Sequence, residues 1–366
     1  MVVQIARSVR IFYAYAHKDE SLRDKLAKHL KRLDGSHIST EWYDREILPG
    51  ADWATVLHRN LNNADIILLL ISADFIASDY CYGIEMKIAL ERHNKGHAHV
   101  IPIILRPVLW EDKPISKLQV LPTGGKPVTS WPSLPPNYDY DEAFVDVAKG
   151  VRKVINTFLN IWKGDDLYNL GHYEEALDAY QKAIDFKNQN PSLLEKTGTA
   201  LFHLKRYEEA LAAYNDAICL DTQNTEYHSN KGDALFNMER YEEAYIAYKD
   251  AIHLDSHRTR TWQNMGKALF NLTSYEDALA AFKEAIRLEP QNADLYKEVG
   301  DTLVSLKRLE DALTAYEDAV RIKPDYGDAF LSISGIFEYL AIQAYNRLKQ
   351  RADEAHERAR QLGTTK

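Results

Sequence analysis

Tyr173-Glu-Glu-Ala-Leu-Asp-Ala-Tyr180 returns as Tyr207-Glu-Glu-Ala-Leu-Ala-Ala-Tyr214, Tyr241-Glu-Glu-Ala-Tyr-Ile-Ala-Tyr248, Tyr275-Glu-Asp-Ala-Leu-Ala-Ala-Phe282 and Leu309-Glu-Asp-Ala-Leu-Thr-Ala-Tyr316, always 34 residues on. Gly164, Gly198, Gly232, Gly266 and Gly300 keep the same register. Several position sets coinciding at one period mark a repeat array, in which each unit buries its apolar face only against its neighbours. Each unit reads as two amphipathic helices. The first carries the glycine and a Leu-aromatic pair; the second starts at the quoted segment and ends at Ala-Ile. The glycine and the alanine after the acidic pair let neighbouring helices approach closely. Pro290 and Pro324 follow the second helix in two units, where proline stops it.

With these glycine, alanine, aromatic and proline positions, residues 157–326 resemble the tetratricopeptide (TPR) family, which implies an all-α solenoid of about five repeats. Beyond Asp328 the register fails, because Ser334 stands where glycine is due. The charged helical pattern to about Gln361 suits a capping helix. In TPR arrays the first helix lines a concave groove. Here Tyr168, Phe202, Phe236 and Phe270 recur at 34, with Val304 in the fifth place. Two readings stand: helix-packing core, or an apolar groove for a partner helix or peptide. Glu195, Asp233 and Lys267 form no repeated Lys/Asn set for a terminal carboxylate, so the groove's ligand stays unassigned.

Upstream, short apolar strands alternate with helices, which implies a parallel sheet with right-handed crossovers. Strands are expected at Val9–Ala14, Ile38–Tyr43, Asp65–Ser72, Val100–Leu105 and, shorter, Leu118–Leu121. Helices are expected at Asp19–Leu33, after Asp52, from Asp79 to His93 and over Asp141–Leu159. The fold class is therefore an α/β flavodoxin-like five-stranded sheet followed by the solenoid. The expected boundaries are 1–160, 161–326 and 327–366, with the first repeat helix overlapping the end of the α/β domain.

Four boxes carry a second resemblance. Arg10-Ile-Phe-Tyr-Ala-Tyr-Ala-His-Lys-Asp-Glu20 is similar to the first box of TIR domains, with Ala14 and Ala16 where serine is common. Trp42-Tyr-Asp-Arg-Glu-Ile-Leu-Pro-Gly50 with Trp53 resembles their BB loop. Ser78-Asp-Tyr-Cys-Tyr-Gly-Ile-Glu85 matches the segment opening their third helix. Ile101-Pro-Ile-Ile-Leu-Arg-Pro-Val-Leu-Trp110 and Leu118-Gln-Val-Leu-Pro122 resemble bacterial members. The resemblance spans residues 7–160.

Open parallel sheets bind ligands beyond the carboxyl ends of their strands, where strand order reverses. In an order 2-1-3-4-5 that crevice lies between strands one and three. Tyr15, His17 and Lys18 follow strand one, and Ser72 leads towards Tyr80, Cys81 and Glu85. The BB loop brings Asp44 and Arg45 close by. The resemblance implies that Glu85 is the catalytic glutamate of an NAD+ hydrolase, with Tyr15, His17, Asp44, Arg45, Ser72, Tyr80 and Cys81 binding substrate. Nicotinamide leaves as a neutral ring, so no general acid is needed; an anion beside the ribose suffices as oxocarbenium character develops. The plainer account of Glu85 is a solvated acid favoured by the helix dipole in a first turn. Cys81 has no evident histidine partner to make it a nucleophile.

Composition and motifs prune other classes. A net charge of -9 gives no basic footprint for nucleic acid. Two distant cysteines, Cys81 and Cys219, make neither a disulfide framework nor a thiolate metal site. The first residues carry no secretory h-region, and Ile66–Ile71 is far short of the roughly 20 residues of a membrane span, so a cytoplasmic protein is expected. Gly124-Gly-Lys-Pro127 lacks P-loop spacing. His93, His97 and His99 have no carboxylate support for a metal and read as surface histidines. The expected cofactor set is empty, with NAD as substrate.

Asn160-Ile-Trp-Lys163 joins the halves without proline, which predicts a stiff junction, and Pro132, Pro135 and Pro136 fall before the last α/β helix. The TIR resemblance also implies self-association with other TIR domains. The resulting expectation is a sensor-effector of the antiphage-defence kind, in which the repeats sense a partner or self-assemble and the TIR domain depletes NAD. A non-enzymatic scaffold and a cyclase making a cyclic ADP-ribose signal are the alternatives.

Overall fold

The computed structural model describes residues 8–31, 38–42, 53–131, 140–184 and 190–361. The chain divides into two compact units, Met1–Asp185 and Phe186–Lys366.

The first unit holds a parallel sheet of β1 (Val9–Tyr15), β2 (Ile38–Trp42), β3 (Ile66–Ile71) and β4 (His99–Ile104), in the order β2-β1-β3-β4. Its helices are α1 (Glu20–Lys31), α2 (Trp53–Asn63), α3 (Ala73–Ala77), α4 (Met86–Asn94) and α5 (Asp141–Asn169). β3 is Ile-Ile-Leu-Leu-Leu-Ile with every residue buried, as a central parallel strand covered on both faces must be. Strand parity sorts β1. Tyr13 and Tyr15 join α1 and α5 in one core layer, while Phe12, Ala14 and Ala16 join Phe75, Cys81 and Met86 in the other.

The expected fifth strand is corrected. Leu121 makes one isolated parallel bridge to Ile103, through Leu121 N–H to Pro102 O at 2.9 Å and Ile104 N–H to Leu121 O at 2.8 Å. Pro122 follows directly and has no N–H to extend the ladder. The order 2-1-3-4 stands, and Leu121 keeps the fifth place as a bridge. A second correction concerns Asp79–His93, which is not one regular helix. Cys81–Glu85 forms a π-helical turn before α4, and α3 precedes it.

α5 runs unbroken for 29 residues, through Asn160–Lys163, so the helix flanking the sheet is also the first helix of the first repeat. Its hairpin partner is α6 (Tyr173–Ala183). The second unit continues with α7 (Pro191–His203), α8 (Tyr207–Leu220), α9 (Thr225–Asn237), α10 (Tyr241–Leu254), α11 (Thr259–Asn271), α12 (Tyr275–Leu288), α13 (Ala293–Ser305), α14 (Leu309–Ile322) and α15 (Gly327–Gln361). The period has a steric cause. A Cβ added to Gly232 would stand 2.5 Å from the Tyr248 ring, and each of the other four register glycines lies equally close beneath its own aromatic ring. No helix among the described residues is long and apolar enough to cross a membrane.

Candidate active site at the carboxyl ends of the strands

β1 ends in Tyr15, Ala16 follows, and the chain turns at once through His17–Asp19, where Asp19 N–H bonds Ala16 O at 2.8 Å. That turn sends the Asp19 carboxylate inward, fully buried. A buried charge must be paired and hydrogen-bonded. Ser72 Oγ donates to Asp19 Oδ2 at 2.5 Å, and Arg106 Nε donates to Asp19 Oδ1 at 2.8 Å. One carboxylate therefore ties together the segments that leave β1, β3 and β4. Ser72 also caps α3, accepting from Phe75 N–H at 3.1 Å. On the outer side Lys18 Nζ meets Asp74 Oδ1 at 2.7 Å, and this hydrogen bond raises the lysine's pKa.

The π-helical turn Cys81–Glu85 packs against β1. Glu85 N–H bonds Tyr80 O at 3.0 Å, the five-residue step that defines the turn. Such bulges are frequent at functional sites because they re-aim one side chain out of helical register. Here Cys81 and Glu85 are both buried, Glu85 at 5% exposure. Cys81 Sγ donates to the Tyr15 carbonyl at 3.5 Å and its N–H bonds Ser78 Oγ at 3.1 Å. The Tyr80 phenol is pushed up to about 12, first by burial and then by the neighbouring Glu85 and Cys81. It stays a proton donor at neutral pH, electrostatically coupled to the glutamate.

Of the residues expected from sequence, Tyr80, Cys81 and Glu85 come together, with the backbone of Tyr15. The Tyr15 ring does not join them. Parity turns it to the other face of the sheet, where the Arg23 guanidinium lies 5.2 Å from its centroid. Ser72 is fully buried, with its hydroxyl committed to Asp19 and the α3 cap. His17 is exposed beside Lys18. Asp44 and Arg45 lie outside the described residues. Sequence reasoning missed Asp19 and Arg106. Asp19 reads as an ordinary acid at a helix start, and only the fold reveals that it points inward.

The histidines also need correction. His97 is exposed, but His93 and His99 are half-buried, with rings 5.5 Å apart edge to face. Burial, and then the neighbouring His93, depress His99 to about 4; burial also lowers His93.

In the repeats, the aromatic stripe packs within its own hairpins. Tyr168 meets Tyr173, Phe236 meets Tyr241 and Phe270 meets Tyr275 at 5.3 Å, and Phe202 meets Tyr207 at 5.4 Å. Phe202 and Phe236 also line a cavity of about 250 Å³ with Asp233, Arg260, Asn264 and Lys267. Asp233 is buried there, accepting from Tyr248 Oη and Asn264 Nδ2 at 2.8 Å and from Arg260 at 2.6 Å. Burial raises its carboxyl above the usual range.

Residues 11–127 match the family model described as TIR domain. Models described as tetratricopeptide repeat match 163–225, 225–258 and 264–327. The uncharacterized protein y4lF of Sinorhizobium fredii (strain NBRC 101917 / NGR234) is 51% identical over 143 residues, covering 39% of this chain and 42% of that protein. The chain thus spans about two fifths of that relative's length. Among solved structures, MamA 41-end from Desulfovibrio magneticus RS-1 is 18% identical with a TM-score of 0.45, covering 47% of this chain and 97% of that one. YrrB, described as a TPR protein with an unusual peptide-binding site, is 22% identical with a TM-score of 0.45, covering 50% and 95%.

Proposed function

We propose that this chain, a TIR domain followed by tetratricopeptide repeats, is an NAD+ hydrolase whose catalytic carboxylate is Glu85. One observation carries the reading: a glutamate 5% exposed in a π-helical turn, packed against β1 and electrostatically coupled to a protonated Tyr80. In the proposed reaction the bond between ribose C1′ and the nicotinamide nitrogen breaks, and its electron pair leaves with neutral nicotinamide. Positive charge develops at C1′ and the ring oxygen, and the fixed Glu85 carboxylate stabilises it. Water adds to C1′ and releases one proton, giving ADP-ribose. The Tyr80 phenol supplies a hydrogen-bond donor towards a ribose hydroxyl, and the Asp19–Ser72–Arg106 cluster holds the crevice walls in place.

In this reading the repeats regulate the reaction by sensing a partner or by self-assembly, as suits a defence protein that must stay silent until triggered. The test is nicotinamide release from NAD by the purified chain at rising concentration, beside Glu85→Ala, with the products resolved into linear and cyclic ADP-ribose. Release that climbs faster than concentration and vanishes in the variant supports the hydrolase; a cyclic product converts it to a cyclase. Absence of release at every concentration favours a scaffold in which TIR domains pair and the repeats recruit a client.

A further inference from the structure

In the second unit, four hairpins bury the inner face of their first helix in the same way. Leu201, Leu235, Leu269 and Leu303, 34 residues apart, are 1–7% exposed. Above them the second helix brings three buried alanines spaced three and four apart, as at Ala312, Ala315 and Ala319. Gly300 of the first helix lies beneath Tyr316 of the second.

α15 begins as the next first helix. Ala329 and Ile336 are buried against the preceding hairpin. Phe337, 34 residues beyond Leu303, is nevertheless 56% exposed, and Phe330, Tyr345 and Leu348 on the same side are 48–65% exposed. Each earlier hairpin of this unit turns at a left-handed residue, Lys307 being the last. At the matching position, Ala341, α15 runs straight on to Gln361. Among the described residues, no second helix of this chain covers that face. Further along the same stripe stand Ala352, Ala355 and Ala359, spaced three and four apart like the covering alanines of every hairpin.

We infer that α15 pairs antiparallel with α15 of a second copy, each supplying the second helix that the other lacks. The register follows from the repeat. Ser334 takes the place of Gly300, and His356, next to Ala355, takes the place of Tyr316, next to Ala315. Superposing the two sets the twofold axis at Tyr345, midway between Ser334 and His356 and at the centre of the stripe from Phe330 to Ala359. A twofold contact of this kind is self-complementary and closed. Charge agrees with the direction. Residues 327–346 carry Asp328 and Glu338 and no Lys or Arg, whereas 347–361 carry five Lys or Arg against three acids. Antiparallel pairing sets the acidic half against the basic half; parallel pairing sets like against like. The inference deepens the self-assembly part of the proposed function and names its surface.

The full chain is examined by light scattering, and by oxidative cross-linking with Cys219→Ser as background because Cys219 is exposed. A twofold dimer is expected at twice the chain mass. Tyr345→Cys forms a disulfide-linked dimer on mild oxidation, while Phe337→Cys and the opposite-face Gln343→Cys do not. Tyr345→Glu with Leu348→Glu halves the apparent mass while the far-ultraviolet helical signal is kept, since both side chains are exposed in the single chain. A chain monomeric at every soluble concentration overturns the inference, as does a dimer that survives the paired glutamates or one cross-linked at Phe337→Cys. Nicotinamide release from the same samples separates the readings. Glu85-dependent release from a monomer removes only the α15 contact, and an intact dimer without release removes only the hydrolase.

Discussion

Ser72 donates to Asp19 Oδ2 at 2.5 Å while Arg106 holds the other oxygen, so three loops at the carboxyl ends of the strands share one buried anchor. Removing it strands a fully buried hydroxyl and releases the loop after β4. Asp19→Ala is expected to destabilise the first unit by about 2–4 kcal/mol, because a buried partner is left unsatisfied. Arg106→Ala leaves the Asp19 carboxylate buried without its counter-charge, so its cost is of the same order, about 2–4 kcal/mol, although the guanidinium itself is 43% exposed. Urea denaturation of both variants checks this; a loss under about 1 kcal/mol for Arg106→Ala would mean that the guanidinium contributes only as a surface ion pair.

Cys81 is held by geometry and not poised for attack. Its sulfur donates to the Tyr15 carbonyl at 3.5 Å within a core layer. Cys81→Ser can keep that hydrogen bond. On the proposed hydrolase reading, turnover of NAD by this variant is expected to stay within about threefold of the parent, a barrier change of under about 1 kcal/mol. A loss of two or more orders of magnitude would make the thiol a participant in the reaction.

The legible part of this molecule was whatever repeats or alternates. Five glycines at one spacing announced the hairpins because each must clear an aromatic ring, and the all-apolar Ile66–Ile71 announced a central strand because both its faces are covered. A parallel sheet was legible from the alternation of elements, and its order from the flavodoxin-like class, but not the fate of the fifth strand, whose ladder stops at Pro122. Within the candidate site, Tyr80, Cys81 and Glu85 were legible as one short segment. The direction of Tyr15 was not, since one residue of parity flips a side chain through the sheet. The burial of Asp19 and of His99 was equally hidden, because exposure is a property of the packed fold and not of the residue type.

The hairpin turns carry strain at one identifiable place. Gly171, Lys205, Glu239, Thr273 and Lys307 all adopt a left-handed backbone, with φ between 60° and 79°. Only the first is glycine, and Thr273 is β-branched, the least tolerant type in that region. Thr273→Gly is expected to stabilise the second unit by about 1 kcal/mol and to raise its melting temperature. Gly232→Ala tests the opposite effect, since its new Cβ meets the Tyr248 ring at 2.5 Å, and should cost about 1–3 kcal/mol. A destabilised Thr273→Gly variant would mean that the threonine side chain makes a contact worth more than the strain.

The two units should respond to acid with opposite signs. In the first, His99 sits near 4 and His93 is also lowered, whereas an unfolded histidine titrates near 6.5. Between those values the unfolded chain binds more protons, so stability is lost as pH falls, by about 1–2 kcal/mol at pH 5 for His99. In the second, burial raises Glu195, Asp233 and Glu298 above their ordinary values. There the folded chain takes up protons first, so stability is gained as pH falls towards the ordinary carboxylate range. The ion pairs of Glu209 with Arg206 and of Glu243 with Arg240 lower those acids and oppose the gain, but they are exposed and screened. Residue-resolved hydrogen exchange between pH 7 and 5, corrected for the intrinsic rate, follows each unit separately. Protection is expected to fall around β4 and rise around α7, α9 and α13, with His99→Gln flattening the first trend and Glu195→Gln the second. Parallel loss in both units would show that the buried acids of the repeats are ionised and matched by their neighbours, Arg260 and Lys267 foremost.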